Sequence, residues 1–217
     1  MKKSKCYNTS HLIEDQYEPG SNGQVLKNKL GITSASEMNK LEKEEQLRAM
    51  DELTDLFDRD QRFTAADICK MHEVWFGNIF EWAGKYRKVK MSKDDFSFAF
   101  PEQIPKLMDE LGKGPLSEFT PYRFETLDKI INALAIVHTE LVLIHPFREG
   151  NGRVARMLAI LMAIQAGLPP LDFGDMIDKE KKKYIKAIHA GVERNYEPMG
   201  EVFTSVIRKT LRAREQR

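Results

Sequence analysis

Twelve consecutive residues, 145–156, combine side-chain types that could handle phosphate. Their sequence is His-Pro-Phe-Arg-Glu-Gly-Asn-Gly-Arg-Val-Ala-Arg, with one possible base, one carboxylate, a glycine-rich turn and two arginines after the turn. The segments on either side, 134–144 and 157–164, are mostly apolar. We therefore expect a polar loop at the point where two buried segments meet.

His145 is the candidate base of this stretch. Because a proline disfavours helical geometry at the residue before it, Pro146 should end the apolar helix predicted upstream and leave His145 at the mouth of a loop. An imidazole with an ordinary pKa of about 6.5 can take a proton from a hydroxyl nucleophile, a role that accelerates reactions by roughly 10²- to 10⁴-fold.

The turn Gly150-Asn151-Gly152 is a candidate anion site. Glycines let the backbone turn tightly and approach a ligand, and a helix should begin near Arg153. The N–H groups at a helix N-terminus favour negative charge. Arg153 and Arg156 are three residues apart, so both can reach one polyphosphate from the same helix face.

Glu149 has a role beside a phosphate if a cation lies between the two. Mg²⁺ held by one carboxylate and by phosphate oxygens meets that need. Each component of the stretch is common in ordinary loops. Their joint occurrence in this order, between apolar helices, is what indicates a phosphate site.

Length and composition favour one compact domain. The chain has 217 residues, 41% of them hydrophobic and 31% charged, enough for one sizeable core. We expect an N-terminal extension at 1–33, a core at 34–200 and a C-terminal helix or tail at 201–217. The net charge of +1 gives no field that would attract nucleic acid or a membrane, so neither is an expected partner.

Targeting signals and cysteines indicate a cytoplasmic protein. Cys6 and Cys69 form no zinc-binding frame and suit a reducing compartment. The basic start is not followed by an apolar stretch typical of a signal peptide. The longest apolar run, 157–164, is short of the roughly 20 residues that a membrane span needs. Export by a route that composition does not reveal stays open.

Helical spacing of apolar residues predicts a mainly α fold. One amphipathic helix should occupy 34–57 behind Ser34 or Ser36, and another should begin after Thr64. Gly167, followed by two prolines, should end the helix after the polar loop. Further helices are expected at about 124–143, 179–192 and from 199 onwards.

The exception to this helical pattern is a predicted β-hairpin. Its strands are expected at 86–91 and 96–100, joined by a polar turn at 92–95. Strict alternation places Phe96, Phe98 and Phe100 on one face of the second strand. A lone hairpin is marginal in water, so these rings are expected to pack on the helical body.

The stretch 145–156 resembles the signature of the Fic (filamentation induced by cAMP) family, H-x-F-x-[DE]-G-N-G-R-x-x-R, at every specified position. The resemblance extends from residues 25–32 through the hairpin to 195–199. It implies a Fic-type helical bundle with the hairpin, 86–100, as a flap that holds a protein substrate by strand addition. It further implies a protein adenylyltransferase that moves AMP from ATP to a Ser, Thr or Tyr hydroxyl.

The resemblance also implies a role for individual residues. The implied general base is His145 and the implied Mg²⁺ ligand is Glu149. The implied ATP-binding residues are the phosphate cradle Gly150, Asn151 and Gly152, the β- and γ-phosphate ligands Arg153 and Arg156, the adenine-pocket residue Tyr184, and the flap residues Lys93 and Asp94. Asp94 and Asp95 stand where the family often has glycines, so the flap turn departs from the usual pattern.

Many Fic proteins carry an inhibitory helix, [ST]-x-x-x-E-[GN], whose glutamate pairs with the second arginine of the signature. Ser10 to Glu14 fits this pattern until Asp15, and residues 33–37 fit it until Met38. The sequence therefore lacks a complete internal inhibitory motif. We expect any restraint to come from a small antitoxin-like partner that supplies the helix.

Other readings of the sequence are weaker. His72 and Glu73 begin the zinc-protease pattern H-E-x-x-H, but Phe76 occupies its last position. His138, on an apolar helix, is interpreted as a structural histidine. The basic segments 179–183 and 208–217 lack an aromatic stacking platform and are interpreted as solvated helix faces. The alternative functions are a Doc-like kinase that transfers the γ-phosphate, transfer of another nucleotide, and a non-catalytic interaction module.

Overall fold

The computed structural model describes residues 9–93, 96–121, 123–124, 126–174, 176 and 179–216. The main α-helices are α1 Ala35–Leu56, α2 Ala65–Phe76, α3 Ile104–Leu111, α4 Leu127–Ile144, α5 Asn151–Gln165, α6 Lys181–Ala190 and α7 Glu197–Glu215. Strands β1 Ser92–Lys93 and β2 Phe96–Ser97 form an antiparallel pair. The predicted mainly α bundle with a small hairpin is confirmed.

Short helical turns connect these elements. They are 3₁₀ turns at Ile13–Asp15, Pro101–Gln103 and Gly191–Glu193, a π turn at Gly112–Leu116 and a helical turn at Ser117–Phe119. None of the helices in the described parts of the chain is long and apolar enough to cross a membrane.

The helix starts follow local side-chain chemistry. Ser34 caps α1 by accepting a hydrogen bond from the N–H of Glu37. Thr64 and Asp67 form a reciprocal capping box at the start of α2. Such caps contribute about 1 kcal/mol each. The predicted starts of both helices are therefore confirmed.

The core is built around the two helices that flank the polar loop. Helices α4 and α5 pack on each other, α7 covers α4, and α6 packs on α7. Helix α1 packs on α2, which in turn contacts α5. Trp75, Phe76 and Phe80, from the end of α2 and just beyond it, are fully buried together with Phe147 of the loop. An aromatic layer thus supports the loop between α4 and α5.

The N-terminal segment at 17–29 and the C-terminal helix α7 both contact this core. An isolated bridge joins Tyr17 to Leu26, and the N–H of Lys29 donates to the carbonyl of Ile79. At the other end, α7 runs through the boundary expected at 200 and packs on α4. That boundary therefore falls inside one helix.

The hairpin is shorter than the predicted strands at 86–91 and 96–100. Ladder pairs join Ser92 to Ser97 and Lys93 to Phe96, and residues 86–91 form no strand. The predicted strand bounds are therefore wrong, since Ser92 and Lys93 belong to the first strand and not to the turn. Asp94 and Asp95 lie outside the described residues.

Arg87 gives the physical reason for the short ladder. Its guanidinium donates to the carbonyl of Val89 at 2.6 Å and to that of Ala99 at 2.7 Å. A ladder extended from β1 and β2 would run through these residues. A buried arginine therefore joins the two arms where strand pairing was expected.

Candidate active site

A cavity of about 440 Å³ lies between the hairpin, the 145–156 loop and α6. Nine of the predicted site residues line it: Lys93, His145, Glu149, Gly150, Asn151, Gly152, Arg153, Arg156 and Tyr184. The structure therefore brings together every site residue predicted from the sequence that it describes. Asp94 lies outside the described residues.

His145 ends α4 in a left-handed conformation, with φ 53° and ψ 59°. Its Nδ1 lies 3.2 Å from the carbonyl oxygen of Val142, which can only accept a hydrogen bond, so Nδ1 carries the proton and Nε2 keeps a lone pair. Burial lowers the pKa of His145 to about 4. The imidazole is therefore neutral at pH 7, with a nitrogen able to accept a proton.

The hairpin covers this histidine. The ring of Phe98 stacks on the imidazole of His145 with centroids 3.6 Å apart. Phe96 stacks on His189 of α6 at 4.9 Å, whereas Phe100 is 54% exposed. Two of the three phenylalanines thus pack on the helical body as expected, and the expectation for Phe100 is wrong because the second strand ends before it.

The loop after His145 is closed by Asn151. The side chain of Asn151 accepts from the N–H of Phe147 at 2.8 Å and donates to the carbonyl of Phe147 at 2.7 Å. Helix α5 begins at Asn151, two residues before the predicted start near Arg153. The side chain of Asn151 therefore shapes the loop, and its backbone N–H belongs to the first turn of α5.

Gly150 occupies a position that other residues do not fit. Its φ is +80°, and a Cβ there would lie 2.6 Å from the ring of Trp75 and 2.8 Å from that of Phe76. Only glycine combines this conformation with so close an approach. The rings of Trp75 and Phe76 therefore limit how the turn at 150–152 can be placed.

His72 supports the same loop from below. Its Nδ1 accepts from the N–H of Gly84 at 2.8 Å, so its Nε2 carries the proton and donates to the carbonyl of Glu149 at 3.2 Å. Its ring stacks on Phe147 with centroids 4.0 Å apart. Sequence reasoning considered His72 only as a zinc ligand and missed this role, because the contact with Glu149 spans 77 positions and leaves no local pattern.

Arg153 is held at the edge of the cavity by two carboxylates. Its guanidinium lies 2.6 Å from Glu42 of α1 and 3.3 Å from Glu149, and it stacks over Trp75 at 4.5 Å. Burial raises the pKa of Glu42 despite the opposing charge of Arg153. Arg153 can therefore reach a phosphate only by exchanging part of this pairing.

Glu149 is the most exposed member of this group. Its side chain is 46% exposed, and Oε1 accepts from the N–H of Gly150 at 2.9 Å. No group of three or more His, Cys, Asp or Glu side chains that could hold a metal occurs within the described residues. One accessible carboxylate next to an anion site suits Mg²⁺, which usually keeps water and phosphate oxygens as its other ligands.

Arg156 lies deeper in the cavity and bonds to α6. Its guanidinium donates a hydrogen bond to the hydroxyl of Tyr184, and its Nη1 lies 3.5 Å from where a Cβ on Gly152 would be. Tyr184 in turn lies 2.9 Å from Nε2 of His138. The hydroxyl of Tyr184 therefore sits at the arginine end of the cavity.

Arg87 joins the hairpin to the 145–156 loop. Its Nε donates to the carbonyl of His145 at 2.7 Å, and its backbone N–H donates to that of Pro146 at 2.8 Å. Its side chain is almost fully buried, and burial lowers its pKa to about 10. Sequence reasoning missed Arg87, because one arginine in a basic segment carries no signal of burial.

The two near-matches to the inhibitory pattern have other positions. Glu14 is buried, and its carboxylate accepts from the N–H of Lys88 at 2.6 Å, while its carbonyl accepts from Arg148 at 2.9 Å. Glu37 is exposed in the first turn of α1. Glu14 thus anchors the N-terminal segment beside the hairpin.

Comparison with known proteins finds similar sequences. Residues 62–163 match the family model described as the Fic/DOC family. The chain is 28% identical over 94% of its length to a protein adenylyltransferase of Bartonella henselae and spans 39% of that protein. It is 29% identical over 69% of its length to the protein adenylyltransferase VbhT of Bartonella schoenbuchensis and spans 30% of it. The chain thus covers well under half of these relatives.

A solved structure extends the likeness to the fold. The N-terminal Fic domain of a VirB-translocated Bep effector protein from Bartonella quintana, solved with bound ADP, is similar with a TM-score of 0.71 at 27% identity. The match covers 90% of this chain and 95% of that one. The signature, the family model and this structure agree, and residues 62–163 are therefore similar to the Fic/DOC family.

Proposed function

We propose that the protein is a protein adenylyltransferase that transfers AMP from ATP to a Ser, Thr or Tyr hydroxyl of a target protein. The observation that carries the proposal is the neutral His145, whose Nδ1 is fixed by Val142, in a cavity shared with the N-terminus of α5. The relatives from two Bartonella species are named protein adenylyltransferases, and the Fic domain from Bartonella quintana was solved with ADP.

In the proposed reaction, Nε2 of His145 takes the proton of the target hydroxyl. The hydroxyl oxygen forms a bond to the α-phosphorus while the bond from that phosphorus to the β-phosphate bridge oxygen breaks, and pyrophosphate leaves. Such in-line transfer depends on positioning and charge neutralisation. The backbone at 150–152, with Arg153 and Arg156, would bind the phosphates. Glu149 would hold a Mg²⁺ ion, which supplies further neutralisation.

The hairpin is the proposed binding site for the target. Its strands form a two-stranded sheet, and an exposed edge can pair with an extended peptide of another protein. Lys93 is exposed on β1 and also lines the cavity. A peptide added to this edge would lie beside His145, since Phe98 of the same hairpin stacks on that ring.

Restraint by a small antitoxin-like partner is part of the proposal. Glu14 is engaged with Lys88, and Glu37 lies exposed in α1, so neither near-match is assigned to inhibition. Substituting Glu14 or Glu37 with Gly should leave ATP affinity of the isolated chain within about threefold of the original, well below a tenfold change of 1.4 kcal/mol. A large gain in affinity would place the inhibitor inside the chain.

The proposed place of action is the cytoplasm, either of the producing cell or of a cell that receives the protein. The second option has support from the relative of known structure, which is described as a VirB-translocated effector. Fractionation of the native host, with and without an active secretion system, would separate the two.

Labelled nucleotides test the proposed activity. The chain is incubated with Mg²⁺, a cell lysate as target source, and ATP labelled at the α- or the γ-phosphate, with His145→Ala as control. The proposal requires transfer of the α-label only, and its loss in the control. Transfer of the γ-label would indicate a kinase. A preference for labelled UTP or GTP would indicate transfer of another nucleotide, and no transfer would indicate a non-catalytic module.

A further inference from the structure

A chain of three side chains, the buried His138 and the partly buried Tyr184 and Arg156, links α4, α5 and α6 beside the cavity. The hydroxyl of Tyr184 on α6 lies between Arg156 of α5 and His138 of α4. His138 is 2% exposed, and its Nδ1 lies 3.2 Å from the carbonyl of Ala155. These contacts join the three helices at one point.

The direction of each hydrogen bond follows from its partners. The carbonyl of Ala155 can only accept, so Nδ1 of His138 carries the proton and Nε2 accepts. The hydroxyl of Tyr184 therefore donates to His138 and turns its lone pairs towards Arg156, whose guanidinium can only donate. The tautomer of His138 thus fixes the orientation of the hydroxyl.

We infer that the Tyr184 hydroxyl, oriented by His138, positions Arg156 for the terminal phosphate and so makes the site prefer ATP to nucleotides with fewer phosphates. The inference rests on the proposed function, because Arg156 is taken there as a phosphate ligand. Tyr184 and His138 are positioning residues in this scheme.

Two physical arguments support a positioning role. An arginine side chain carries about 2 kcal/mol of rotamer entropy, and a fixed acceptor reduces what must be lost when phosphate binds. Burial raises the pKa of Tyr184 to about 12, so its hydroxyl stays neutral at pH 7. The bond therefore orients Arg156 without cancelling its charge. Arg153 differs, since its partners Glu42 and Glu149 are both carboxylates.

Tyr184→Phe tests the inference, because it removes the hydroxyl and keeps the ring that lines the cavity. Dissociation constants of ATP, ADP and AMP are measured by calorimetry in the presence of Mg²⁺. A hydrogen bond to a charged group contributes about 1.5 kcal/mol or somewhat more, so ATP should bind roughly tenfold more weakly. AMP should bind within about twofold of the original, a change below 0.5 kcal/mol. Equal losses for all three nucleotides, or an unchanged ATP affinity, would overturn the inference.

Tyr196→Phe is a matched control. The Tyr196 hydroxyl also donates to a side chain of α4, the carboxylate of Glu140, but Tyr196 does not line the cavity. This variant should leave the ratio of ATP to AMP affinity unchanged. A similar loss of ATP preference here would show that any weakened contact with α4 has the same effect, and the inference would fail.

A double-mutant cycle tests the part played by His138. His138→Leu should reduce the ATP preference as Tyr184→Phe does, and it should add almost nothing to that ratio when Tyr184 is already Phe. If the effects of the two substitutions on the ratio of ATP to AMP affinity multiply, His138 acts independently of Tyr184. That result would contradict the assignment. If the Leu variant does not fold, His138→Gln, which keeps an acceptor, takes its place and should retain part of the preference.

These measurements separate the inference from the proposed function. If the original chain binds ATP and transfers AMP while Tyr184→Phe keeps the full ATP preference, the inference alone fails. If the original chain binds none of the three nucleotides, the proposed function fails and the inference fails with it.

Discussion

His145 combines two properties that oppose each other in a general base. Burial keeps it neutral with one nitrogen available, but the same burial lowers its pKa to about 4 and makes it a weaker base. In the proposed reaction, proton transfer from a target hydroxyl would therefore depend on the nucleophile becoming more acidic as its bond to phosphorus forms. The gain is a base that stays in its working form over a wide pH range.

This property predicts the pH dependence of AMP transfer. The neutral form of His145 is the base, and it is lost only as pH falls through about 4. Single-turnover rates should therefore show little loss from His145 protonation between pH 8 and about 5.5, whereas an ordinary histidine would be half protonated at about 6.5. A midpoint between 6 and 7 in the acid limb would refute this. His145→Ala should be inactive throughout.

The ion pair of Glu42 with Arg153 predicts separate effects on stability and binding. Glu42→Gln should leave the free energy of unfolding within about 1 kcal/mol of the original, because burial disfavours the charge that is removed and Gln keeps an oxygen that can accept from Arg153. It should strengthen ATP binding, since Arg153 loses a competitor for phosphate. Urea unfolding and calorimetry measure the two effects.

Glu44→Gln is the matched control for this substitution. Glu44 also lies on α1, but its contact with Lys40 is 3.9 Å long and exposed. Its unfolding free energy should change by less than about 0.5 kcal/mol and ATP affinity should stay the same. If Glu42→Gln weakens ATP binding, the carboxylate orients Arg153 towards the nucleotide instead of competing for it.

At the scale of the element, local signals predicted the helices well. Ser34 and Thr64 mark their helix starts because each side chain caps the turn that follows it. Pro146 ends α4 at His145 for an equally local reason. The hairpin was less predictable, because the ladder is interrupted by bonds from Arg87, and the burial of one arginine depends on the whole fold.

The start of α5 predicts the outcome of a glycine substitution. Gly150→Ala introduces a left-handed alanine, which costs roughly 1–2 kcal/mol, and a methyl group within 2.6 Å of Trp75, which adds about 1–3 kcal/mol. The loss in unfolding free energy should therefore be about 3 kcal/mol, with loss of nucleotide binding. Thermal unfolding and ATP titration would measure both.

Gly167, just beyond α5, separates the two causes. It also has a φ of +80°, but a Cβ there would meet nothing within 4 Å. Gly167→Ala should cost only the conformational part, about 1 kcal/mol, and should leave ATP binding intact. Equal losses of unfolding free energy at both glycines would show that the rings of Trp75 and Phe76 move aside and do not limit the position of the turn.

At the scale of the whole molecule, the candidate site depends on contacts between distant parts of the sequence. Arg153 meets Glu42 across 111 positions, and His72 meets Glu149 across 77. Neither contact has a periodic signature, so the sequence predicted the signature residues but not the partners that hold them. The family resemblance implied roles for the motif residues, and the structure shows the residues, such as Glu42 and His72, that contact them.

Two buried histidines predict how stability responds to acid. Burial lowers the pKa of both His72 and His138 to about 3 in the folded chain, whereas an unfolded histidine has a pKa of about 6.5. The unfolded state therefore binds more protons, and the stability from these groups is fully present above about 6.5 and declines as pH falls towards 3. The expected decline below 6 is about 1.4 kcal/mol per pH unit for each histidine.

Urea midpoints at pH 7, 6 and 5 would check this decline. A flat profile between pH 7 and 5 would show that both imidazoles accept protons without unfolding, and thus that their burial is incomplete in solution. His145, whose pKa is lowered to about 4, titrates over the same range, so His138→Gln should reduce the slope by about a third, because one of three titrating groups is removed.

The guanidinium of Arg87 is bonded to both arms of the hairpin and to the peptide of His145. Arg87 thus contacts both the hairpin edge that would receive a target and the proposed base that would activate the target hydroxyl. A target that pairs with the hairpin without moving it would leave His145 in place, whereas a target that displaces the hairpin would also displace His145 through Arg87. The protein would then select a target by its effect on the position of His145, before any phosphate bond is broken.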